Sequence, residues 1–212
     1  MEYLIGIDEA GRGPLAGPVA VGVVMCASYF GFKLLKDVRD PKKLSEKQRE
    51  GWFVKLKSWQ KESKKTGKNK IDFKVSLIGA KVIDEKGINF AIKRGIKNCL
   101  KRLEADPSNS KVLLDGSLKA PKNFKNQQTI IGGDDIKPII SIASVVAKVI
   151  RDRKMKRLAK LYPKYQFDVH KGYGTALHYE AIKKFGLCKI HRRSFIEHPA
   201  LRLEDSLRAP LL

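Results

Sequence analysis

Two adjacent acids at the end of a short apolar strand constrain this chain more than any other feature. Tyr3-Leu4-Ile5-Gly6-Ile7 reads as a buried β-strand and Val19-Ala20-Val21-Gly22-Val23-Val24-Met25-Cys26 as a second. Between them runs Asp8-Glu9-Ala10-Gly11-Arg12-Gly13-Pro14-Leu15-Ala16-Gly17-Pro18, where glycine and proline supply the turn. Side chains alternate across a strand, so Asp8 and Glu9 should point to opposite faces unless the backbone kinks. Acids followed by a glycine-flanked arginine suggest metal chemistry beside a phosphate. The plainer alternative is a turn with solvated acids.

More acids stand at comparable places. Lys111-Val112-Leu113-Leu114 reads as a strand that delivers Asp115-Gly116, and Thr129-Ile130-Ile131 as another that ends in Gly132-Gly133-Asp134-Asp135. Acids at strand ends gather at one edge of an open sheet, where active sites of α/β folds collect. Two carboxylates about 4 Å apart repel by about 4 kcal/mol at an effective dielectric near 20, so an uncompensated cluster is costly. Two divalent ions would neutralise four carboxylates, and oxygen ligands suit magnesium or manganese. A pair of such ions can activate water and stabilise the leaving oxygen of a phosphodiester.

The charge of the chain narrows the partner. Lysine and arginine outnumber aspartate and glutamate 44 to 22 in 212 residues, a net charge of +22. Such a field attracts polyanions, of which nucleic acid is the usual one for a soluble basic protein, although an anionic membrane surface also fits. No apolar run approaches the roughly 20 residues of a membrane helix, and no secretory signal is evident at the N-terminus. The expected location is therefore the cytoplasm, with no membrane partner. Cys26, Cys99 and Cys188 are scattered without the spacing of zinc or redox motifs, so they read as core or neutral thiols.

Elsewhere the pattern alternates between helices and loops. Ser45 and Gln48 predict a capping box that opens a helix running to about Leu56. The charged stretch from Lys61 to Lys70 predicts a mobile surface loop, Ile71 to Ile78 a half-buried strand, and Val82 to Leu103 a helix. A long, well-buried helix is expected from Pro138 through Arg153, followed by a basic, helical final quarter with a helix near Leu177 to Phe185.

Five motifs in order resemble those of the type 2 ribonucleases H, and within them ribonuclease HII. They are the Asp8 to Pro18 opening, Leu114-Asp115-Gly116, and Gly133-Asp134 followed by Ser141-Ile142-Ala143-Ser144-Val145-Val146-Ala147-Lys148-Val149-Ile150-Arg151-Asp152-Arg153. The last two are His170-Lys171-Gly172-Tyr173-Gly174-Thr175 and His191-Arg192-Arg193-Ser194-Phe195. The resemblance covers nearly the whole chain, and Arg12 between its glycines favours the HII type over HIII.

The resemblance implies an α/β fold: a ribonuclease H-like core with a mixed central sheet over residues 1–160, and a C-terminal helical extension over 161–212 that contributes to substrate binding. It implies hydrolysis of RNA in RNA/DNA hybrids and of ribonucleotide-containing duplex DNA, with a place in replication and ribonucleotide excision repair. By motif, Asp8, Glu9, Asp115 and Asp134 are the catalytic carboxylates and would hold two Mg2+ or Mn2+ ions. Asp134 rather than Asp135 takes the family position. Asp152 is better explained by salt bridging with Arg151 and Arg153. Gly11, Arg12 and Gly13 would read the ribose, and Tyr173 would stack on the sugar of the following deoxynucleotide. Lys42, Lys43, Ser141, Ser144 and Lys148 are implied phosphate contacts, with Pro41 standing where the family usually has serine. A monomer is expected. The tail Leu201 to Leu212 reads as a frayed C-terminus, with a docking segment as the alternative; a sliding clamp is a conceivable partner that the sequence does not support. The rival readings are a basic nucleic-acid binder without catalysis and a different nuclease on the same fold.

Overall fold

Short apolar runs and tight turns build the first half of the protein. The structure, a computed structural model, describes residues 3–28, 30, 38, 43–66 and 71–196. Strand β1 (Tyr3–Ala10) pairs antiparallel with β2 (Val19–Ala27), which pairs antiparallel with β3 (Ile71–Ile78). On the other side of β1, strand β4 (Ser110–Asp115) pairs parallel to it, and β5 (Gln127–Ile130) pairs parallel to β4. The sheet order is therefore β3-β2-β1-β4-β5. The parallel register sets Ile7 opposite Leu114, so the next residues along, Asp8 and Asp115, leave the paired strands at the same level.

Helix α1 (Glu46–Thr66) opens on the predicted capping box: the Gln48 amide donates to Ser45 Oγ at 3.2 Å and the Ser45 amide to Gln48 Oε1 at 2.8 Å. It runs past Leu56 into the lysine-rich stretch, which makes Lys61 to Thr66 helical where a loop is expected from composition; residues 67–70 lie outside the described ones. Tertiary partners extend it, since Gln60 Nε2 donates to the Phe73 carbonyl at 3.2 Å and Ser63 Oγ accepts from the Ile71 amide at 3.1 Å.

The helical pattern from Val82 to Leu103 divides into α2 (Ala80–Lys86) and α3 (Ile88–Arg102). Gly87 sits between them with φ 81°, a conformation glycine adopts freely; its amide closes α2 on Ile83 and its carbonyl opens α3 toward Ala91. A short α4 (Gly133–Ile136) precedes α5 (Pro138–Leu161), the long buried helix expected from its sequence. Three more helices, α6 (Phe167–His170), α7 (Ala176–Phe185) and α8 (Arg193–Ile196), complete the described chain.

The sheet buries both faces. On one, β-strand residues such as Ile5, Ile7, Val21 and Leu114 pack with Ile92, Ile96 and Leu100 of α3. On the other, Val24, Phe73 and Leu113 pack with Ile139, Ile142 and Val146 of α5 and with Phe53 and Leu56 of α1. Helix α5 lies directly on the sheet because Gly6 and Gly22 lack side chains: a Cβ at either would stand 2.3 Å from the carbonyl oxygen of Ile139 or Ala143. That approach fixes α5, and with it everything α5 carries, against β1.

Gly22→Ala forces α5 away from the sheet. Overpacking of this kind costs about 2 kcal/mol, or roughly 4–8 °C in melting temperature for a chain of this size, measurable by thermal unfolding.

Candidate active site

The ends of β1 and β4, the start of α4 and the middle of α5 frame one cleft of about 440 Å³. Asp8, Glu9, Asp115 and Asp134 all line it, together with Gly11, Arg12, Gly13, Ser144, Lys148 and Tyr173. The parallel β1–β4 register accounts for Asp8 and Asp115, and α4 brings Asp134 in. Asp134 is buried, at 1 % exposure, whereas Asp135 is exposed and does not line the cleft. Asp115 Oδ1 accepts from the Gly133 amide at 2.7 Å, which ties the start of α4 to the end of β4. Strand alternation does not separate Asp8 from Glu9 at the end of β1: both reach the same cleft, Asp8 more deeply.

Burial sets the electrostatics of these acids. It raises the Asp8 carboxyl well above its usual value, against a hydrogen bond from Ser144, and the neighbouring charges of Glu9 and Asp115 raise it further. Glu9 is also raised, first by burial and again by Asp115, while the Arg12 guanidinium opposes the shift. A cation among these oxygens would relieve both effects, and an all-oxygen donor set suits a hard divalent ion. Among the described residues, no group of three or more His, Cys, Asp or Glu side chains is arranged to hold a metal ion. The fit is therefore one of donor type and charge.

Arg12 has two partners: Nη1 donates to Glu9 at 2.9 Å and Nη2 to Asn89 Oδ1 at 2.9 Å. Its side chain is 44 % exposed, open to a ligand at the cleft mouth. Tyr173 is 42 % exposed, with the Arg151 guanidinium 5.6 Å and the Lys148 ammonium 6.0 Å from its ring centre. Ser144 and Lys148 line the cleft, but Ser141 is buried outside that lining and donates to the Asp134 and Lys137 carbonyls. Lys43 is exposed and outside the lining, and Lys42 and Pro41 lie outside the described residues. Asp152 is salt-bridged, though to Lys148 at 3.1 Å; Arg153 pairs with Glu50, and Arg151 turns to backbone carbonyls.

Two buried arginines bind the loops around the cleft. Arg151 donates to the Pro18 carbonyl at 3.0 Å and to Lys171 at 3.0 Å, joining the glycine loop to the tyrosine loop. Its side chain occupies the space a Cβ on Gly11 would need, and Gly11 also has φ 85°. Arg192 donates to Gly11, Arg12 and Gly17 carbonyls, and burial pushes its pKa down to about 9. The amides of Leu15 and Ala16 both donate to the Gly172 carbonyl, at 2.8 and 3.2 Å. Periodicity gives no signal for charged residues this deeply buried. Arg49, also on the cleft, follows the α1 cap by four residues, which places it one turn in.

A histidine chain fixes the tyrosine loop from behind. His178 Nδ1 lies 2.9 Å from the Tyr173 carbonyl and must donate to it, so in the neutral ring Nε2 accepts from His191 Nε2 at 3.1 Å. His191 Nδ1 then accepts from the Cys188 amide at 2.9 Å. His170 stacks on His178 at 4.4 Å, and its Nδ1 accepts from the Gly172 amide. The thiols fit the inert reading: none is paired, and burial pushes Cys26 and Cys99 up to about 12.

Fold and carboxylate cleft together define a nuclease of the ribonuclease H-like class. The family model described as Ribonuclease HII matches residues 5–198. A ribonuclease HII of Caldicellulosiruptor bescii is 42 % identical over 197 residues, covering 92 % of this chain and 87 % of that protein. The chain belongs to the ribonuclease HII family, and it is an endoribonuclease. Ribonuclease H2 from Pyrococcus horikoshii OT3 superposes with a TM-score of 0.67 at 27 % identity, covering 91 % of this chain and 93 % of that one. The archaeal chain in a PCNA:RNase HII complex from Archaeoglobus fulgidus shares the fold, with a TM-score of 0.73 at 23 % identity over 95 % of this chain and 99 % of that one. Among the described residues no helix is long and apolar enough to cross a membrane.

The histidine chain gives the fold a pH dependence. Burial lowers His178 and His191 to about 4, and free imidazole titrates near 6.5. Between those values the unfolded chain binds protons that the folded chain refuses, so this contribution is complete above about pH 6.5 and is lost as pH falls toward about 4. Melting temperature measured across that window falls with pH, and His191→Gln makes the slope shallower.

Proposed function

We propose that this endoribonuclease cuts the phosphodiester 5′ of a ribonucleotide, in RNA/DNA hybrids and in duplex DNA with embedded ribonucleotides, leaving a 3′-hydroxyl and a 5′-phosphate. The observation that carries this reading is one cleft that joins four carboxylates to Gly11, Arg12, Gly13 and Tyr173. Ions of Mg2+ or Mn2+ held by Asp8, Glu9, Asp115 and Asp134 would supply water activation and charge stabilisation at the leaving 3′ oxygen.

The chain's own residues bind and orient the duplex. Arg12 offers a charged fork that can leave Glu9 and Asn89 for the substrate backbone, and Gly11 and Gly13 let the backbone approach a ribose closely. Tyr173 presents an exposed ring to the deoxynucleotide sugar beyond the ribonucleotide, held in place through its carbonyl by His178. Ser144 hydrogen-bonds to Asp8, and Lys148, already paired with Asp152, adds positive charge toward the backbone phosphates. Lys42 and Lys43 are assigned the same role from their motif alone, and Ser141 supports it indirectly by holding the Asp134 backbone. The net charge of +22 favours association with the polyanion before any base or sugar is read. Of the extension over residues 161–212, the described part carries Tyr173 to this cleft and Arg192 to the glycine loop beside it. The complex with PCNA belongs to the Archaeoglobus fulgidus protein; the tail 201–212, the candidate docking segment here, lies outside the described residues.

The test is a DNA duplex with a single ribonucleotide, incubated with Mg2+ or Mn2+ beside an all-DNA control, with end-group analysis of the products. A cut only 5′ of the ribonucleotide is expected; a cut in the control, or none in either, contradicts the reading. Asp115→Asn keeps an oxygen for the Gly133 amide but removes the charge. It abolishes cleavage while the metal-free melting temperature stays equal or rises, because repulsion with Asp8 and Glu9 is relieved.

A further inference from the structure

Arg192 is fully buried, and every hydrogen bond of its guanidinium goes to a backbone carbonyl of one loop. Nη2 donates to Gly11 at 2.7 Å, Nη1 to Arg12 at 2.8 Å and Nε to Gly17 at 3.0 Å. In a trans peptide the carbonyl of one residue and the amide of the next point in opposite directions. Drawing the Gly11 and Arg12 carbonyls inward therefore turns the amides of Arg12 and Gly13 outward. Both residues are exposed and line the cleft, and among the described residues neither amide donates to a protein acceptor.

We propose that Arg192 is a positioning residue for ribose recognition: its fork holds the Arg12 and Gly13 amides as paired donors toward the ribonucleotide 2′-hydroxyl. This inference rests on the reading of Gly11-Arg12-Gly13 as the ribose reader. The Arg12 side chain is restrained separately, by Glu9 and Asn89, so Arg192 acts on the backbone alone. Arg192 is itself fixed in place. Its amide donates to the Leu15 carbonyl at 2.7 Å, the Gly17 amide donates to Ile190 at 2.8 Å, and His191 bridges to Ala16. Lysine cannot replace the fork, because one ammonium cannot span three carbonyls that a planar guanidinium reaches together.

Arg192→Lys tests this with two readouts taken below its melting temperature. Cleavage of a single-ribonucleotide duplex falls about 10²-fold in kcat/KM, the scale of an ångström-level misplacement. Binding by fluorescence anisotropy in chelator then separates positioning from general damage. Wild type prefers the ribonucleotide duplex over all-DNA, and the variant loses that preference while its all-DNA affinity is unchanged. If the preference survives, or both affinities fall together, the inference is overturned. If wild type shows neither preference nor ribonucleotide-dependent cleavage, the ribose-reading function itself fails first. Should the variant not fold, amide NMR on the wild-type protein decides: the Arg12 and Gly13 amides shift on adding the ribonucleotide duplex and not on adding all-DNA. Unmoved amides overturn the proposal.

Discussion

The parallel pairing of β1 with β4 is the constraint on which the rest of the structure depends. It brings the end of one buried strand level with the end of another, and each end carries an acid, Asp8 and Asp115. Burial on both faces of the sheet holds the register, since a one-residue slip would turn Ile5, Ile7, Val112 and Leu114 from the α3 core to the face where Gly6 admits α5. With Glu9 beside Asp8, the fold brings three carboxylates to one cleft, and Asp134 from α4 adds a fourth. Burial first, and the neighbouring carboxylates after it, raise Asp8 and Glu9. Stability spent here is recovered elsewhere, in the core packing of α3 and α5.

Around this acidic floor the protein arranges positive charge and backbone donors. Gly6 and Gly22 let α5 approach the sheet, and α5 in turn presents Ser144, Lys148 and Arg151 to the cleft and its loops. Arg192, and Arg151 through Nε and Nη2, hydrogen-bond to carbonyls, not carboxylates. Loop carbonyls that would otherwise lack partners are satisfied in the same step. The outcome is a rigid rim in which the glycine loop, the tyrosine loop and the segment before α8 share hydrogen bonds. Rigidity of this kind is what recognition of a small group such as a ribose hydroxyl requires.

Much of this was legible in the sequence, for specific reasons. Apolar runs ending in Asp8-Glu9 and Leu114-Asp115 mark strands whose ends carry chemistry, and their motifs matched a family whose membership the comparison supports. The Ser45 and Gln48 cap was also readable, because its chemistry is local. What escaped depended on tertiary partners. The lysine-rich end of α1 is helical because Gln60 and Ser63 bond to β3, and no local pattern encodes those bonds. Gly87 divides one periodic helix into two by its positive φ. Arg151 and Arg192 look like surface charges in any window, and only the assembled loops reveal what they hold. The salt bridge of Asp152 was anticipated, but its partner is one helical turn away at Lys148, not an adjacent arginine.

The central claim is that these carboxylates form a cation site imposed by the strand register. Thermal unfolding with and without Mn2+ tests it without reference to catalysis. A ligand at one hundred times its Kd adds about 2.7 kcal/mol, or roughly 5–10 °C for a chain of this size. Wild-type protein should gain stability of that order as Mn2+ is raised, and an Asp8→Asn, Asp115→Asn double variant should gain none. An equal shift in both proteins, or no shift in the wild type, would contradict the account.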